Sequence, residues 1–136
     1  MDLSFPKKEH LCLKRRFDAL LAQGKSFFIY PYRVIYLVNS ADPATGPVQV
    51  PVQVAITVRK KQFKHAVTRN LLKRRFRESW RQQKEELHSV LLQEKKSMYI
   101  LMVYGASEVM PFQDIDGKMK LIIKRLKHIV NSETEQ

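Results

Sequence analysis

Residues 48–84 read VQVPVQVAITVRKKQFKHAVTRNLLKRRFRESWRQQK. Two periodicities meet in this stretch. Up to Val58 the residues alternate: Val48, Val50, Val52, Val54, Ile56 and Val58 share one parity, and Gln49, Gln53, Ala55, Thr57 and Arg59 share the other. Successive side chains of a strand point to opposite faces, so this is a strand with one core face and one available face. From about Ala66 the period changes. No Gly or Pro interrupts the run, and at about 100° per residue Leu72, Phe76, Trp80 and Leu87 fall on one stripe. Lys73, Arg77, Asn70, Arg81 and Arg74 fall on the neighbouring arc. The stretch is therefore a strand followed by an amphipathic helix whose outer side is cationic.

The charge of that helix narrows its partners. From Arg59 to Lys84 there are eleven Lys and Arg residues and one acid, Glu78. A solvated helix face normally mixes signs at i,i+4. Here Lys73/Arg77 and Arg77/Arg81 set like charges one turn apart, which costs a few tenths of a kcal/mol, roughly, per pair. A polyanion relieves that repulsion. Arg presents a planar fork that matches phosphate oxygens, and Asn both donates and accepts. Folded RNA displays phosphates, 2′-hydroxyls and unpaired base edges together.

The same residues carry a family resemblance. Lys60-Lys61, Ala66-Val67, Arg69-Asn70, Lys73-Arg74 and Arg77-Glu78 form the run KK-x4-AV-x-RN-x2-KR-x2-RE. That run resembles the signature of the bacterial ribonuclease P protein subunit. Where the family pattern often has a further Arg, this chain has Leu71. The resemblance extends by pattern from about Phe5 to Val130.

Outward from the centre, the remaining elements follow from pattern. LCLKRRFDALLAQGKS places Leu13, Phe17, Leu20 and Leu21 at helical spacing, with Gly24 just past the end, and predicts a helix over 14–23. FFIYPYRVIYLV predicts a strand, interrupted or at an edge near Pro31, which cannot donate to a ladder. Tyr32, Val34 and Tyr36 share one parity with Phe28; Ile29, Arg33, Ile35 and Leu37 share the other. SADPATGP is a loop joining two antiparallel strands. SMYILMVYG predicts a buried strand, and strand–helix–strand implies parallel pairing across the basic helix. DGKMKLIIKRLKHIV predicts a last helix, with Met119, Ile122, Ile123, Leu126 and Ile129-Val130 inward and Asp116 as a candidate cap. The order is αββαβα, an α/β (α+β) two-layer sandwich with a mixed sheet. Its natural division is one RNA-binding domain, 1–136, with an irregular arm at 1–10 and a frayed tail at 131–136. The resemblance further implies the fold of the second domain of a small-subunit ribosomal protein, with a left-handed βαβ crossover.

The totals bear on partners. Lys plus Arg number 25 against 13 acids, for a formal net charge of +12, and 44% of residues are hydrophobic. Nucleic acid leads as partner over an anionic membrane or an acidic protein. The lone Cys12 forms no internal disulfide, and no run is long enough to span a bilayer. These features predict a soluble, cytoplasmic protein.

A protein-only nuclease needs clustered carboxylates for metal, or His pairs for proton transfer. The acids are scattered, none forms a D-x-D or comparable pair beside the basic block, and His10, His65, His88 and His128 lack ligand spacing. A binding subunit is therefore expected. The resemblance implies a partner RNA that is the catalyst, a precursor tRNA whose 5′ leader is removed, one protein per RNA, and Mg²⁺ bound chiefly by RNA. It implies RNA contacts from Arg59, Lys60, Lys61, Arg69, Asn70, Lys73, Arg74, Arg77 and Arg81. It also implies a leader cleft between the first helix and the sheet, with Phe17, Leu21, Val34, Tyr36, Thr57 and Arg59 as candidates. The alternative is a non-catalytic ribosomal or assembly protein that binds one rRNA site.

Overall fold

The computed structural model describes residues 11, 14–40 and 51–134. The N-terminal arm, Cys12, Leu13, the loop 41–50 and Val48–Val50 of the alternating run lie outside the described residues.

The elements in order are α1 (Lys14–Gln23), β1 (Lys25–Ile29), β2 (Tyr32–Ser40), β3 (Val52–Val58), α2 (Ala66–Gln83), α3 (Glu85–Gln93), β4 (Lys96–Tyr104) and α4 (Phe112–Thr134). The mixed α+β sandwich is as expected, and α1 has the predicted bounds. Three elements differ. The expected first strand is two, because the chain reverses at the cis Tyr30–Pro31 peptide and β1 pairs antiparallel with β2. The Pro31 carbonyl accepts from the Gly105 amide at 2.7 Å, tying that turn to the end of β4. The basic helix ends at Gln83, and Leu87 belongs to the separate α3, where it is still buried. The last helix runs on to Thr134, and residues 135–136 of the expected tail lie outside the described residues.

The sheet order is β1-β2-β4-β3. β3 and β4 are parallel, as the strand–helix–strand reading requires, and β2 is antiparallel to β4. β2 and β3 thus run in opposite directions but are not neighbours, since β4 lies between them. The outer edge of β3 is partly covered, for the Leu11 amide donates to the Val54 carbonyl at 3.0 Å.

Register fixes which residues share a face. Tyr32 faces Tyr104, which faces Val58; Val34 faces Met102, which faces Ile56; Tyr36 faces Ile100, which faces Val54. This face packs on α2, α3 and α4, and it forms the core with Leu72, Phe76, Trp80, Leu87, Leu91 and the α4 stripe from Met119 to Val130. Ring contacts knit it: Tyr32 meets Phe76 and Tyr104 edge-on at 6.0 and 5.7 Å. Tyr104 donates to the Glu108 carbonyl at 2.6 Å and accepts from the Met110 amide at 3.2 Å. The opposite face carries Arg33, Ile35, Leu37, Tyr99, Leu101, Gln53, Ala55 and Thr57, and among the described elements α1 lies on it. Gly24 lets α1 end there, because a Cβ would run into the carbonyls of Leu20 and Tyr36.

Asp116 does not cap α4, which begins at Phe112. It accepts instead from Ser79 Oγ at 2.7 Å and Gln83 Nε2 at 2.6 Å, and so fastens α2 to α4. Lys95, just past α3, has φ of 55°. The left-handed region costs an L residue about 1–2 kcal/mol, and glycine avoids it at some entropic cost. Lys95→Gly should therefore stabilise the fold by about 0.5–1 kcal/mol, read as a raised midpoint in urea; a lowered midpoint would show the side chain to be the stronger term.

Candidate nucleic-acid interface

The interface is built from the turn at 59–65 and the outer face of α2. Two inward anchors shape the turn. Phe63 is buried, its ring 5.9 Å from that of Tyr104. The Arg59 carbonyl accepts from the Gln62 and Phe63 amides, each at 3.2 Å. With Phe63 inward, Arg59, Lys60, Lys61, Lys64 and His65 are left exposed. His65 has extended backbone (φ −87°, ψ 128°) at the N-terminus of α2, and its side chain makes no capping bond.

Along α2 the burial pattern separates the two sides. Leu72, Phe76, Ser79 and Trp80 are buried. Asn70, Arg74 and Arg77 are exposed, and Lys73 is half-buried at the margin. The first turn contains no acid, and Val67 stands 81% exposed beside the cations.

Not every predicted cation is turned outward in the same way. Arg69 lies three residues before Leu72 and seven before Phe76, hence on the buried side. Its Nη1 donates to the carbonyls of Phe63 at 2.7 Å and Lys64 at 2.9 Å. Its guanidinium holds the turn in shape. Arg81 is engaged by Glu78: Nη2 lies 2.6 Å from Oε1, and Nε donates to Oε2 at 3.3 Å. Gln82 donates to the same carboxylate at 2.7 Å. These bonds from Arg81 and Gln82 hold the Glu78 carboxyl below its usual range. Arg75, which the helical pattern left unassigned, donates to the Met110 carbonyl at 2.5 Å and joins α2 to the segment before α4.

A helix that buries one side and fills the other with guanidinium and ammonium groups presents a surface suited to phosphates. A family model described as Ribonuclease P matches residues 5–127. The chain belongs to the ribonuclease P protein family. A ribonuclease P protein component from Porphyromonas gingivalis is 30% identical over 120 residues, covering 88% of this chain and 84% of its own. Among solved structures, the RNase P protein from Thermotoga maritima superposes with a TM-score of 0.63 at 27% identity, covering 86% of this chain and 96% of its own. An RNase P protein from Staphylococcus aureus has the same TM-score at 18% identity, over 85% and 93% of the two chains, and supports the fold alone.

The expected leader cleft is only partly assembled. Thr57 lies on the α1 side of the sheet, in register with Val103 and, through it, Arg33. Phe17 is half-buried and Leu21 exposed on α1, and Arg59 is exposed at the end of β3. Val34 and Tyr36 are on the other face. Val34 is fully buried, and Tyr36, 8% exposed, has its ring 5.8 Å from Phe27 within the core. The structure therefore does not bring them to the α1 side. What it does bring there is Arg16 and Tyr99. Arg16 Nη1 donates to Gln53 Oε1 at 2.6 Å, and its guanidinium carbon lies 5.9 Å from the Tyr99 ring centroid. Tyr99, Gln53 and Leu37 share one register position. Arg33 and Phe28, 57% exposed, pair at the other end of the same face. The strand pattern offered Arg33 and Ile35 as the alternative parity; Arg16 carried no signal beyond its charge.

Among the described residues no three His, Cys, Asp or Glu side chains group so as to hold a metal ion, and no helix is long and apolar enough to cross a membrane.

Proposed function

We propose that the chain binds the catalytic RNA of ribonuclease P through the 59–65 turn and the outer face of α2. In this reading it works as the protein component of a ribonucleoprotein endoribonuclease that removes the 5′ leader from precursor tRNA. Family membership gives the tRNA-processing role and an RNA partner. The observation that carries the reading is the sorting of one segment: Phe63, Leu72, Phe76 and Trp80 go in, while Lys60, Lys61, Lys64, Arg74 and Arg77 come out. An rRNA-binding protein of another family would share the charge but not this match.

The reaction chemistry belongs to the RNA in this proposal. The protein lowers repulsion between two polyanions, with one protein per RNA, in the cytoplasm. The Mg²⁺ of the reaction is assigned to RNA phosphates, where nearby cations set the local charge. The leader is assigned to the α1 side of the sheet. There Tyr99 offers a ring face, Arg16 and Arg33 offer charge, and α1 walls one side, an arrangement suited to a single strand.

Affinity for a ribonuclease P RNA should fall steeply with salt. Each neutralised phosphate contributes about 0.7–0.9 to the log–log slope. Arg74→Ala with Arg77→Ala should flatten that slope by about 1.4–1.8 units and leave the circular dichroism spectrum unchanged, since both side chains are exposed. A slope unaffected by the double variant would remove the outer face of α2 from the contact.

A further inference from the structure

α2 is not the only helix with an unbalanced outer face. From Gly117 to Val130 the chain carries Lys118, Lys120, Lys124, Arg125 and Lys127, and no acid. The core stripe of Met119, Ile122, Ile123, Leu126 and Val130 is buried. That fixes the rotation of α4 and puts Lys120, Lys124 and Arg125 in solvent. Of the carboxylates near this helix, Asp116 and Glu86 are already engaged, while Glu85 stands across the groove. Asp116 accepts from Ser79 and Gln83, and Glu86 pairs with Lys127 at 3.0 Å. Among the described residues Lys120 and Lys124 have no ion-pair partner. They stand one turn apart, about 6 Å along the axis, and repel each other as the α2 cations do. Arg125 lies 4.8 Å over the Phe27 ring, which holds its guanidinium against the sheet edge.

Beside this face runs a groove of about 650 Å³ between α2–α3 and α4. One wall is Lys120, Lys124 and Lys127; the other includes Gln82, Gln83 and Ser89, whose amide oxygens and hydroxyl can accept from ribose hydroxyls. Glu85 and Glu86 also line it, the second neutralised by Lys127. Gln82 and Gln83 place the groove beside the C-terminal end of α2.

We propose that the outer face of α4, centred on Lys120 and Lys124, is a second RNA-backbone-binding surface that extends the one on α2. RNA is favoured over a lipid surface because a membrane-lying helix must bury bulky apolar groups. On α4 those groups are in the core, and Leu121, 50% exposed, stands outside it among the cations. The inference rests on the proposed RNA-binding function, and the test separates the two.

The test compares the unmodified protein, Lys120→Gln/Lys124→Gln, and Arg74→Ala/Arg77→Ala. Affinity is measured against salt for a ribonuclease P RNA transcript, and for precursor tRNA binding to the assembled particle. Loss of two phosphate contacts on α4 should lower the log–log slope by about 1.4–1.8 and weaken binding roughly tenfold or more at 0.1 M salt, with unfolding temperature unchanged. The arm in which the slope falls identifies which RNA α4 touches. Unchanged slopes in both arms, with the α2 variant still reducing its own, would overturn the inference and leave the function standing. A flat salt dependence of the unmodified protein would overturn both. Loss of binding to phosphatidylserine vesicles with unaltered RNA slopes would assign the face to lipid and overturn the inference.

Discussion

Trp80→Ala is expected to destabilise the protein by about 3–5 kcal/mol. Trp80 is fully buried and its ring stacks on Phe76, at 6.2 Å between centroids and 12° between planes. It is among the largest fully buried side chains, and it sits on the helix that carries the exposed Arg74 and Arg77. Removing it leaves a cavity that α2 fills only by shifting, which would move Arg74 and Arg77 as well. Domains are stable by about 5–15 kcal/mol in total, so the loss takes a large share. Trp80→Phe separates shape from polarity. It keeps a stacked ring and deletes an indole N–H that is buried without an acceptor among the described residues, so it should cost less than half as much. Urea unfolding of both variants gives the two numbers. A cost below about 1 kcal/mol for the alanine variant, well under the usual range for a buried aromatic, would mean that the core closes without this ring.

Tyr36→Ala should cost about 3 kcal/mol of stability and should weaken precursor and mature tRNA binding alike. Tyr36 lies against Phe27 on the core face, with Ile100 and Val54 beside it in register. It has no path to a strand bound on the α1 side. Tyr99→Ala is the contrasting variant. A base stacked on an aromatic ring is worth about 1–3 kcal/mol, so its loss should weaken precursor tRNA by about 5- to 150-fold on that basis. Mature tRNA, which has no leader, should be nearly unaffected. The pair of affinities, measured with the assembled ribonucleoprotein, decides the face. Selective loss of leader binding in Tyr36→Ala, with stability intact, would contradict the core assignment.

The misplacement of Val34 and Tyr36 shows where sequence reading stops. The parity within β2 was legible: Tyr32, Val34 and Tyr36 do share a face. Which parity turns inward was not, because Ile35 and Leu37 are as apolar as Val34. The answer depends on the register with β4, which no local pattern encodes. β3 was legible because its two parities differ in polarity, Val against Gln and Thr. The basic arc of α2 was legible for the same reason. The inward turn of Arg69 was available from its spacing to Leu72 and Phe76, whereas its use as a clamp on the turn depends on where Phe63 goes. The break between α2 and α3 left little trace, for Lys84 has helical dihedrals (φ −65°, ψ −22°) and no Gly or Pro marks it. Glu85 and Glu86, acids in a first turn, were the available sign of a new N-terminus.

The proposed role of this chain is to assist an RNA catalyst in removing the tRNA leader. Its most direct test is reconstitution with a bacterial ribonuclease P RNA and a precursor tRNA at low Mg²⁺, with RNA-free protein as the parallel sample. The protein should stimulate release of the 5′ leader by the RNA and should cleave nothing alone. No stimulation, or leader cleavage by the RNA-free protein, would contradict it.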